Sequence, residues 1–329
     1  MKTVRFVSTG PVPPLVREIL HPFGPVEIAT TTDEDSLIQW MTGTIGLIVR
    51  GVTKVPARVI EAGTQLRVIG RSGIGCDNVD VRAATACGVP VVYTPGAGSR
   101  AVAEGAMALL LALAKRLPQL DASTKRGEWQ SGLPARIDDL AGATIGIVGL
   151  GRIGKELAKM AHAFEMEVIA YDPYISKNEA ALAGAGLVEL DSLFARSDFI
   201  CLHAPLTDAT KGMVNRRRLR LVKPTAIIVN LARGGLFESL DVVHEALQAE
   251  RLSGVGMDTF PSEPPDISHP IFSHPRVLCT PHVMGLSVGA TNKIFTMMSE
   301  GMAMVLRGLV PDNVINPEAF PTRPQGTKQ

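Results

Sequence analysis

The first hundred residues alternate short apolar runs with segments in which apolar residues recur every three to four positions. The runs are bounded by turn residues and predict four strands, at residues 3–8, 26–29, 46–49 and 66–70. The segments between them predict helices at residues 14–20, 34–41 and 57–61. Asp33 and Pro56 are typical helix-start residues for the second and third helices. Strands that alternate with helices favour a parallel sheet with right-handed crossovers.

A second series of the same kind begins near residue 144. It predicts strands at residues 144–148, 167–171, 199–203, 226–230, 254–257 and 277–279. The helices between them are predicted at residues 155–164, 192–195, 216–221 and 240–249. Six strands with this alternation predict a doubly wound dinucleotide-binding fold. A further helix, 290–306, is expected to return to the first domain and make it discontinuous.

A helix predicted at residues 99–116 connects the two series and is apolar almost all round. Such a helix must be covered on both sides. It lies either between two domains of one chain or between its own domain and a neighbouring subunit, and we expect a homodimer.

Composition excludes several classes of partner. Lys plus Arg exceed Asp plus Glu by one, and aromatic residues make up 5% of the chain, so neither a nucleic-acid nor a membrane partner is expected. The four cysteines are scattered without a CxxC pair, which argues against a disulfide framework or a metal site. The first residues lack the apolar run of a signal peptide, and we expect a cytoplasmic protein with reduced thiols.

The sharpest local signal is the loop Gly149-Leu150-Gly151-Arg152-Ile153-Gly154, between a predicted strand and a predicted helix. Gly149 permits the tight turn, Gly151 lets the backbone approach a pyrophosphate, and Gly154 lets the helix pack closely on the sheet. Asp172 ends the next strand, about 20 residues further on, where a carboxylate can accept hydrogen bonds from ribose hydroxyls. A carboxylate would repel a 2′-phosphate, so NAD is favoured over NADP.

Three polar residues follow predicted strands in the second half of the chain. Arg233 can clamp a substrate carboxylate, His282 can exchange a proton with a substrate oxygen, and Glu263 can stabilise the imidazolium. Each residue taken singly is more often structural, and the sequence alone leaves open whether the three meet.

The motifs GLGRIG, YDP, HAPLT, NLARGG, DTFPSEPP and PHVMG, in that order, resemble the D-isomer-specific 2-hydroxyacid dehydrogenase family. The segments LIVRG, RSGIGCDNVD and TPGAGSRAVAE are most similar to its phosphoglycerate dehydrogenase branch. The resemblance implies an α/β protein with two doubly wound parallel-sheet domains. A Rossmann NAD domain, residues 99–285, is inserted into a discontinuous flavodoxin-like substrate domain, residues 1–98 and 286–329, with the active site in the cleft.

The resemblance also implies roles for individual residues. The catalytic residues would be Arg233, Glu263 and His282. The cofactor-binding residues would be Gly149, Gly151, Arg152, Ile153, Gly154, Asp172, His203, Pro205, Thr210, Leu231, Ala232, Arg233, Asp258, His282 and Gly285. Asp258 would hold the nicotinamide carboxamide, and His203, Pro205 and Thr210 would border the adenosine. The substrate-binding residues would be Arg50, Ser72, Gly73, Ile74 and Gly75.

The expected reaction is hydride transfer between NAD and C2 of a D-2-hydroxy or 2-oxo acid, with 3-phosphoglycerate as one candidate. Arg50 favours a second anionic group on the substrate, whereas Gly98 stands where the family often has Asn and weakens the assignment to phosphoglycerate. A hydroxypyruvate or glyoxylate reductase is the alternative enzyme. An NAD-sensing, corepressor-like binding module is the alternative from another class. Because the sequence ends at Gln329, feedback control through an appended regulatory domain is not expected.

Overall fold

A computed structural model describes residues 4–129 and 136–320, which fall into two compact units. One unit contains the chain up to Gly98 and the part from Ser287 onward, and the other runs from Ser99 to Leu286. The first position of the predicted strand 3–8 and the end of the predicted substrate domain beyond residue 320 lie outside the described residues. Each unit is an α/β structure around a parallel sheet, so the predicted fold class is confirmed.

The first unit is built on five parallel strands. They are β1 (Arg5–Ser8), β2 (Val26–Ile28), β3 (Thr44–Val49), β4 (Val68–Arg71) and β5 (Val91–Val92). Their order is β2-β1-β3-β4-β5, so the direction of strand addition reverses between β1 and β3. The helices that precede the second unit are α1 (Pro14–Leu20), α2 (Glu34–Trp40), α3 (Ala57–Ala62) and α4 (Val81–Ala86). Asp33 caps α2 as predicted, because its carboxylate accepts the Ser36 N–H at 3.0 Å.

The second unit is built on seven parallel strands. They are β6 (Thr144–Val148), β7 (Glu167–Tyr171), β8 (Gly186–Leu187), β9 (Phe199–Leu202), β10 (Ile227–Asn230), β11 (Gly254–Met257) and β12 (Val277–Cys279). Their order is β12-β11-β10-β9-β6-β7-β8, so strand addition reverses at β6, where a doubly wound sheet binds its ligand. The helices are α5 (Ser99–Ala114), α6 (Leu117–Lys125), α7 (Arg152–Ala163), α8 (Lys177–Leu182), α9 (Leu190–Arg196) and α10 (Leu240–Gln248).

The apolar helix α5 is covered by its own unit. Its side chains join those of α7 and of the strands β6 and β10 in one core, with Leu110 and Leu113 almost fully buried. The composition of α5 therefore does not by itself require a neighbouring subunit. Within the described ranges, no helix combines the length and apolar character needed to cross a membrane.

The last helix, α11 (Val288–Leu306), belongs to the first unit. Its residues Met298 and Met302 lie against β4 at Gly70, which has no side chain that would keep them away from the strand. A Cβ built on Gly70 would come within 2.3 Å of the Met302 sulfur. The glycine thus lets the helix pack directly on the sheet.

Several short elements were not predicted. The sequence pattern indicated four strands in the first series and six in the second, but the structure adds one two-residue edge strand to each, β5 and β8. The helices α4, α6 and α8 were also missed. The predicted helix 216–221 is wrong in length and type, since only a 3₁₀ turn, Arg218–Arg220, forms there. The helices α4, α6 and α8 each bury a single small side chain, namely Ala84, Ser123 and Ala180, so their sequences show no apolar period.

Candidate active site

In the second unit, the predicted cofactor-binding and catalytic residues lie at one edge of the sheet. They follow the carboxyl ends of β6, β7, β9, β10, β11 and β12. Because all seven strands are parallel, these ends share an edge, and open α/β sheets bind ligands at this edge.

The glycine loop after β6 has the geometry that a pyrophosphate requires. Gly149 has a φ of +93°, and a Cβ there would come within 2.8 Å of the His203 backbone. A Cβ on Gly154 would come within 2.3 Å of the Gly149 carbonyl oxygen, whereas Gly151 faces open space. Gly151 is the N-cap of α7 and supplies no capping side chain. The first-turn N–H groups, which include those of Arg152 and Ile153, are therefore available to an anion.

Asp172 lies at the end of β7, next to this loop. One carboxylate oxygen accepts the Leu150 N–H and the other accepts the Tyr174 N–H, both at 3.0 Å. Each oxygen keeps a lone pair, so the carboxylate can still accept hydrogen bonds from ribose hydroxyls. The two backbone contacts fix its orientation toward the glycine loop.

The segment after β9 contains His203, Pro205 and Thr210. Both ring nitrogens of His203 are buried and have no hydrogen-bond partner among the described residues. Burial lowers the pKa of His203 to about 4, so its ring is neutral at pH 7. The Thr210 hydroxyl closes a turn by donating to the Pro205 carbonyl at 2.6 Å. Unpaired buried nitrogens beside an open glycine loop fit a site that a dinucleotide completes.

Arg233 lies in a turn that follows β10, after the buried Leu231 and the half-buried Ala232. Its Nη1 donates to the Ala232 carbonyl at 2.8 Å. Asn230, which is fully buried, accepts the Ala232 N–H at 3.0 Å and donates to the Arg233 carbonyl at 2.9 Å. The backbone on both sides of the Arg233 turn is therefore held by one side chain.

The turn carrying Arg233 lies directly against the loop carrying Glu263. Gly234 makes this contact possible, because a Cβ there would come within 1.9 Å of the Phe260 carbonyl carbon. Glu263 is in turn fixed within its loop, since its Oε1 accepts the Phe260 N–H at 3.0 Å. The positive charge of Arg233 acts on the Glu263 carboxylate.

Glu263 and His282 form a direct pair. The His282 Nδ1 lies 2.7 Å from the Glu263 Oε2, and His282 has a φ of +55°, which is rare for a residue with a side chain. Burial raises the pKa of Glu263, but hydrogen bonds from His282 and Phe260 and the nearby positive charges outweigh burial and lower it overall. Glu263 is therefore a carboxylate at neutral pH, and a neutral imidazole beside it carries its proton on Nδ1.

Asp258 anchors the loop that carries His282. Its Oδ1 accepts the Thr280 hydroxyl at 2.6 Å and the Val283 N–H at 3.0 Å, and its Oδ2 accepts the Met284 N–H at 3.1 Å. Only 2% of Asp258 is exposed.

Gly285 lies at the end of the same loop, close to α5. A Cβ on Gly285 would lie 3.1 Å from the Val102 side chain in that helix.

In the first unit, the predicted substrate loop follows the carboxyl end of β4. Two of its N–H groups are already bonded, from Ser72 to the Val49 carbonyl at 3.1 Å and from Gly73 to the Arg71 carbonyl at 2.9 Å. Within the described ranges, the N–H groups of Ile74 and Gly75 have no acceptor. These two donors, rather than the whole loop, are available to an anion.

Arg50 follows β3 in the same unit and folds back onto its own domain. Its guanidinium donates to the Pro11 carbonyl and lies 5.0 Å from the centre of the Phe295 ring. Its Nε is buried without an acceptor, and burial lowers its pKa. No carboxylate in residues 4–129 or 136–320 forms an ion pair with Arg50, so a half-buried cation is left without a counter-ion.

Sequence reasoning missed the residues that hold these loops, namely Asn230, Gly234 and Thr280. Asn230 gave a usable signal, because it is a polar residue at the end of an otherwise apolar strand. Gly234 and Thr280 gave none, because their partners are remote in sequence and only the fold brings them together.

Comparison with known proteins identifies the family. Residues 107–284 match the D-isomer specific 2-hydroxyacid dehydrogenase, NAD binding domain. The chain is 41% identical to D-3-phosphoglycerate dehydrogenase from Methanocaldococcus jannaschii over 98% of its own length and 61% of that protein. It is 40% identical to hydroxypyruvate reductase from Thermotoga maritima, over 80% of this chain and 85% of that protein.

A solved structure from Thermus thermophilus has the same fold, with a TM-score of 0.88 and 32% identity over 95% of this chain and 100% of that one. The D-3-phosphoglycerate dehydrogenase from Methanocaldococcus jannaschii is the longer protein, and this chain spans about three-fifths of its length. The match to a family model over more than half of the chain agrees with the fold and the glycine loop. The chain therefore belongs to the D-isomer specific 2-hydroxyacid dehydrogenase family.

Proposed function

We propose that this protein is an NAD-dependent D-2-hydroxyacid dehydrogenase that interconverts a 2-hydroxy acid and the corresponding 2-oxo acid. The observation that carries the proposal is the 2.7 Å contact between Glu263 and His282, beside a turn that carries Arg233. An acid–base pair next to a cation, at the ligand-binding edge of an NAD-binding domain, suits hydride transfer coupled to proton transfer.

His282 would exchange the proton with the substrate oxygen. The Glu263 carboxylate occupies Nδ1, so Nε2 is the ring nitrogen left for the substrate. NADH, when bound, would supply the hydride for the reduction. His282 would donate the proton to the substrate oxygen. Glu263 stabilises the imidazolium that precedes this donation, because its lowered pKa keeps it negatively charged.

Arg233 would bind the substrate carboxylate and polarise the adjacent carbonyl. A guanidinium can do both, since it presents several N–H donors in one plane. In the first unit, which we propose as the substrate domain, the free N–H groups of Ile74 and Gly75 would receive an anionic group. Ser72 and Gly73 would shape this loop without donating to the substrate.

We propose that the substrate carries a second anionic group, as 3-phosphoglycerate and 3-phosphohydroxypyruvate do. The support is Arg50, a half-buried cation without a counter-ion in its own unit. Hydroxypyruvate reduction is the second candidate, because the hydroxypyruvate reductase from Thermotoga maritima aligns with this chain over 85% of the reductase's length.

The proposal is tested by NADH oxidation with purified protein and a panel of 2-oxo acids. The panel contains 3-phosphohydroxypyruvate, hydroxypyruvate, glyoxylate, pyruvate and a bulky branched 2-oxo acid. We expect turnover, with the largest kcat/KM for the phosphorylated acid. The largest kcat/KM for hydroxypyruvate would favour the second candidate. NADH binding without turnover on any acid would contradict an enzyme and favour the corepressor-like module.

We also propose a homodimer. Three large apolar side chains in the stretch after α5 are exposed in the single chain, with exposed fractions of 52% for Leu117, 78% for Trp129 and 48% for Ile137. A subunit contact that covers these side chains would remove their apolar surface from water, which favours association. Sedimentation velocity should give a dimer, and Trp129→Glu should shift it toward the monomer.

Finally, we propose a cytoplasmic location. All four cysteines are free thiols, in keeping with a reducing compartment. Fractionation of the source cells, with detection by an antibody, tests this.

A further inference from the structure

Asn230 is a polar side chain at the end of an apolar, completely buried strand. The three residues before it in β10 are Ile227, Ile228 and Val229, and Asn230 itself has no exposed surface. Burying an amide costs free energy unless its donors and acceptor are hydrogen-bonded. A buried Asn at the last position of the strand therefore requires an explanation.

Both polar atoms of the Asn230 side chain bond to the turn that carries Arg233. Oδ1 accepts the Ala232 N–H at 3.0 Å, and Nδ2 donates to the Arg233 carbonyl at 2.9 Å. The two contacts lie on either side of the peptide bond between Ala232 and Arg233. They fix the direction in which the backbone enters and leaves Arg233.

The Asn230 backbone ties this anchor to the neighbouring strand. Its carbonyl accepts the Asp258 N–H at 3.0 Å, and Asp258 holds the loop of His282. Asn230 therefore connects the sheet to the turn of Arg233 and lies next to the residue that supports His282.

We propose that Asn230 is a positioning residue, whose function is to hold Arg233 where it binds the substrate carboxylate. The inference rests on the proposed function for the role of Arg233. Only a primary amide of this length donates and accepts at once in this position. Asp cannot donate to the Arg233 carbonyl. Ala leaves the Ala232 N–H without its acceptor and leaves the Arg233 carbonyl with the Leu236 N–H at 3.1 Å as its remaining donor.

The expected effect of Asn230→Ala is a loss of about 10²-fold in kcat/KM for the preferred 2-oxo acid, because a misplacement of about 1 Å costs that much. A loss alone would not separate positioning from general damage. The decisive experiment is a double-mutant cycle with Asn230→Ala, Arg233→Ala and the double variant, assayed at high enzyme concentration.

If Asn230 acts through Arg233, its substitution has little left to remove once Arg233 is absent. We expect Asn230→Ala to change kcat/KM by less than about threefold in the Arg233→Ala background. Losses that multiply, so that the double variant falls by the product of the two single effects, would overturn the proposal.

Ser197→Ala is the matched control. Ser197 is equally buried in the same unit, and its hydroxyl donates to the Leu193 carbonyl at 2.7 Å, next to the amino end of β9. It should lower thermal stability without changing kcat/KM. An equal loss of kcat/KM in Ser197→Ala would show that the Asn230 effect is not specific.

Hydrogen exchange separates this inference from the proposed function. If the wild-type protein turns over no acid in the panel, the proposed function fails, but exchange at the Ala232 amide still reports on the anchor. Asn230→Ala should accelerate exchange in residues 231–236, and Ser197→Ala should not. Unchanged exchange in Asn230→Ala would overturn the anchor itself.

Discussion

The two units prepare their chemical groups in different ways. In the second unit the reactive side chains are partners of one another, since Glu263 bonds His282 and the Arg233 turn lies against the Glu263 loop. In the first unit the candidate groups are the backbone N–H donors of Ile74 and Gly75 and a single cation, Arg50. These groups do not bond to one another.

The scaffold of the first unit is also built from different residues. Arg71 supports the substrate loop by donating from Nε to the Gly75 carbonyl at 2.9 Å and to Asn78 at 3.1 Å. Asn78 in turn donates to the Thr53 carbonyl at 2.7 Å, in the loop after β3. The second unit thus brings together the side chains proposed for the reaction, and the first unit presents backbone donors and a cation. Changes in the second should cost turnover, and changes in the first should cost substrate discrimination.

The largest effect is expected from His282→Gln. Glutamine can still hydrogen-bond to Glu263 but cannot deliver a proton, so kcat for oxo-acid reduction should fall by about 10³-fold. NADH binding should fall much less than kcat, because the substitution leaves unchanged the glycine loop between β6 and α7 and Asp172, which would hold the rest of the dinucleotide. Steady-state kinetics and fluorescence titration with NADH measure the two quantities.

His162→Gln, the same substitution at an exposed ring at the far end of α7, is the control and should keep normal turnover. A His282→Gln protein with a kcat near that of the wild type would remove the proposed role of His282. The second unit would then lack the acid–base pair that distinguishes it from the first.

Much of the sheet structure could be predicted from the sequence, because buried parallel strands are nearly continuous apolar runs. The strands 144–148, 167–171, 254–257 and 277–279 were predicted with their observed bounds. β8 could not be predicted, since two residues at a sheet edge, one of them Gly186, leave no run to detect.

The site was predictable as a set of residues but not as an arrangement. Arg233, Glu263 and His282 each follow a strand, and the order of those strands in the sheet decides that they come together. The left-handed backbone of His282 and the support from Asn230 and Asp258 depend on loops remote in sequence. The side chain of Arg50 was unpredictable for the same reason, because Pro11 and Phe295 determine its direction.

A moderate effect, confined to one class of substrate, is expected from Arg50→Gln. A hydrogen bond to a charged group contributes about 1.5–3 kcal/mol, so KM for 3-phosphohydroxypyruvate should rise by at least about tenfold. The kcat/KM for pyruvate, which has no second anionic group, should change by less than about threefold. Steady-state kinetics on both acids gives the ratio.

Arg58→Gln serves as the control in the same unit, because Arg58 is exposed and pairs with Glu34 at 2.7 Å. It should leave both substrates unaffected. If Arg50→Gln reduced kcat/KM equally for both acids, Arg50 would be structural and the first unit would not discriminate by charge.

The smallest effect is expected on stability, at the edge where His203 lies. Burial lowers the pKa of His203 to about 4, whereas an exposed histidine titrates near 6.5. Between these values the unfolded chain binds a proton that the folded chain does not, so the free energy of unfolding falls as pH drops from 6.5 toward 4. Above pH 6.5 the folded protein has its full stability with respect to this group. Between pH 6.5 and 4 the free energy of unfolding falls by at most about 1.4 kcal/mol per pH unit.

His203→Gln removes this titration, so the difference in unfolding midpoint between wild type and variant should change as the pH is lowered from 7 to 5. His21→Gln, the same substitution at an exposed histidine of the first unit, is the control for the loss of a surface ring. A difference that stays constant for His203→Gln would mean that water reaches the His203 ring nitrogens in solution. His203 would then no longer count as an unpaired buried group at the ligand-binding edge of the second unit, and the support that its ring gives to a dinucleotide site would be lost.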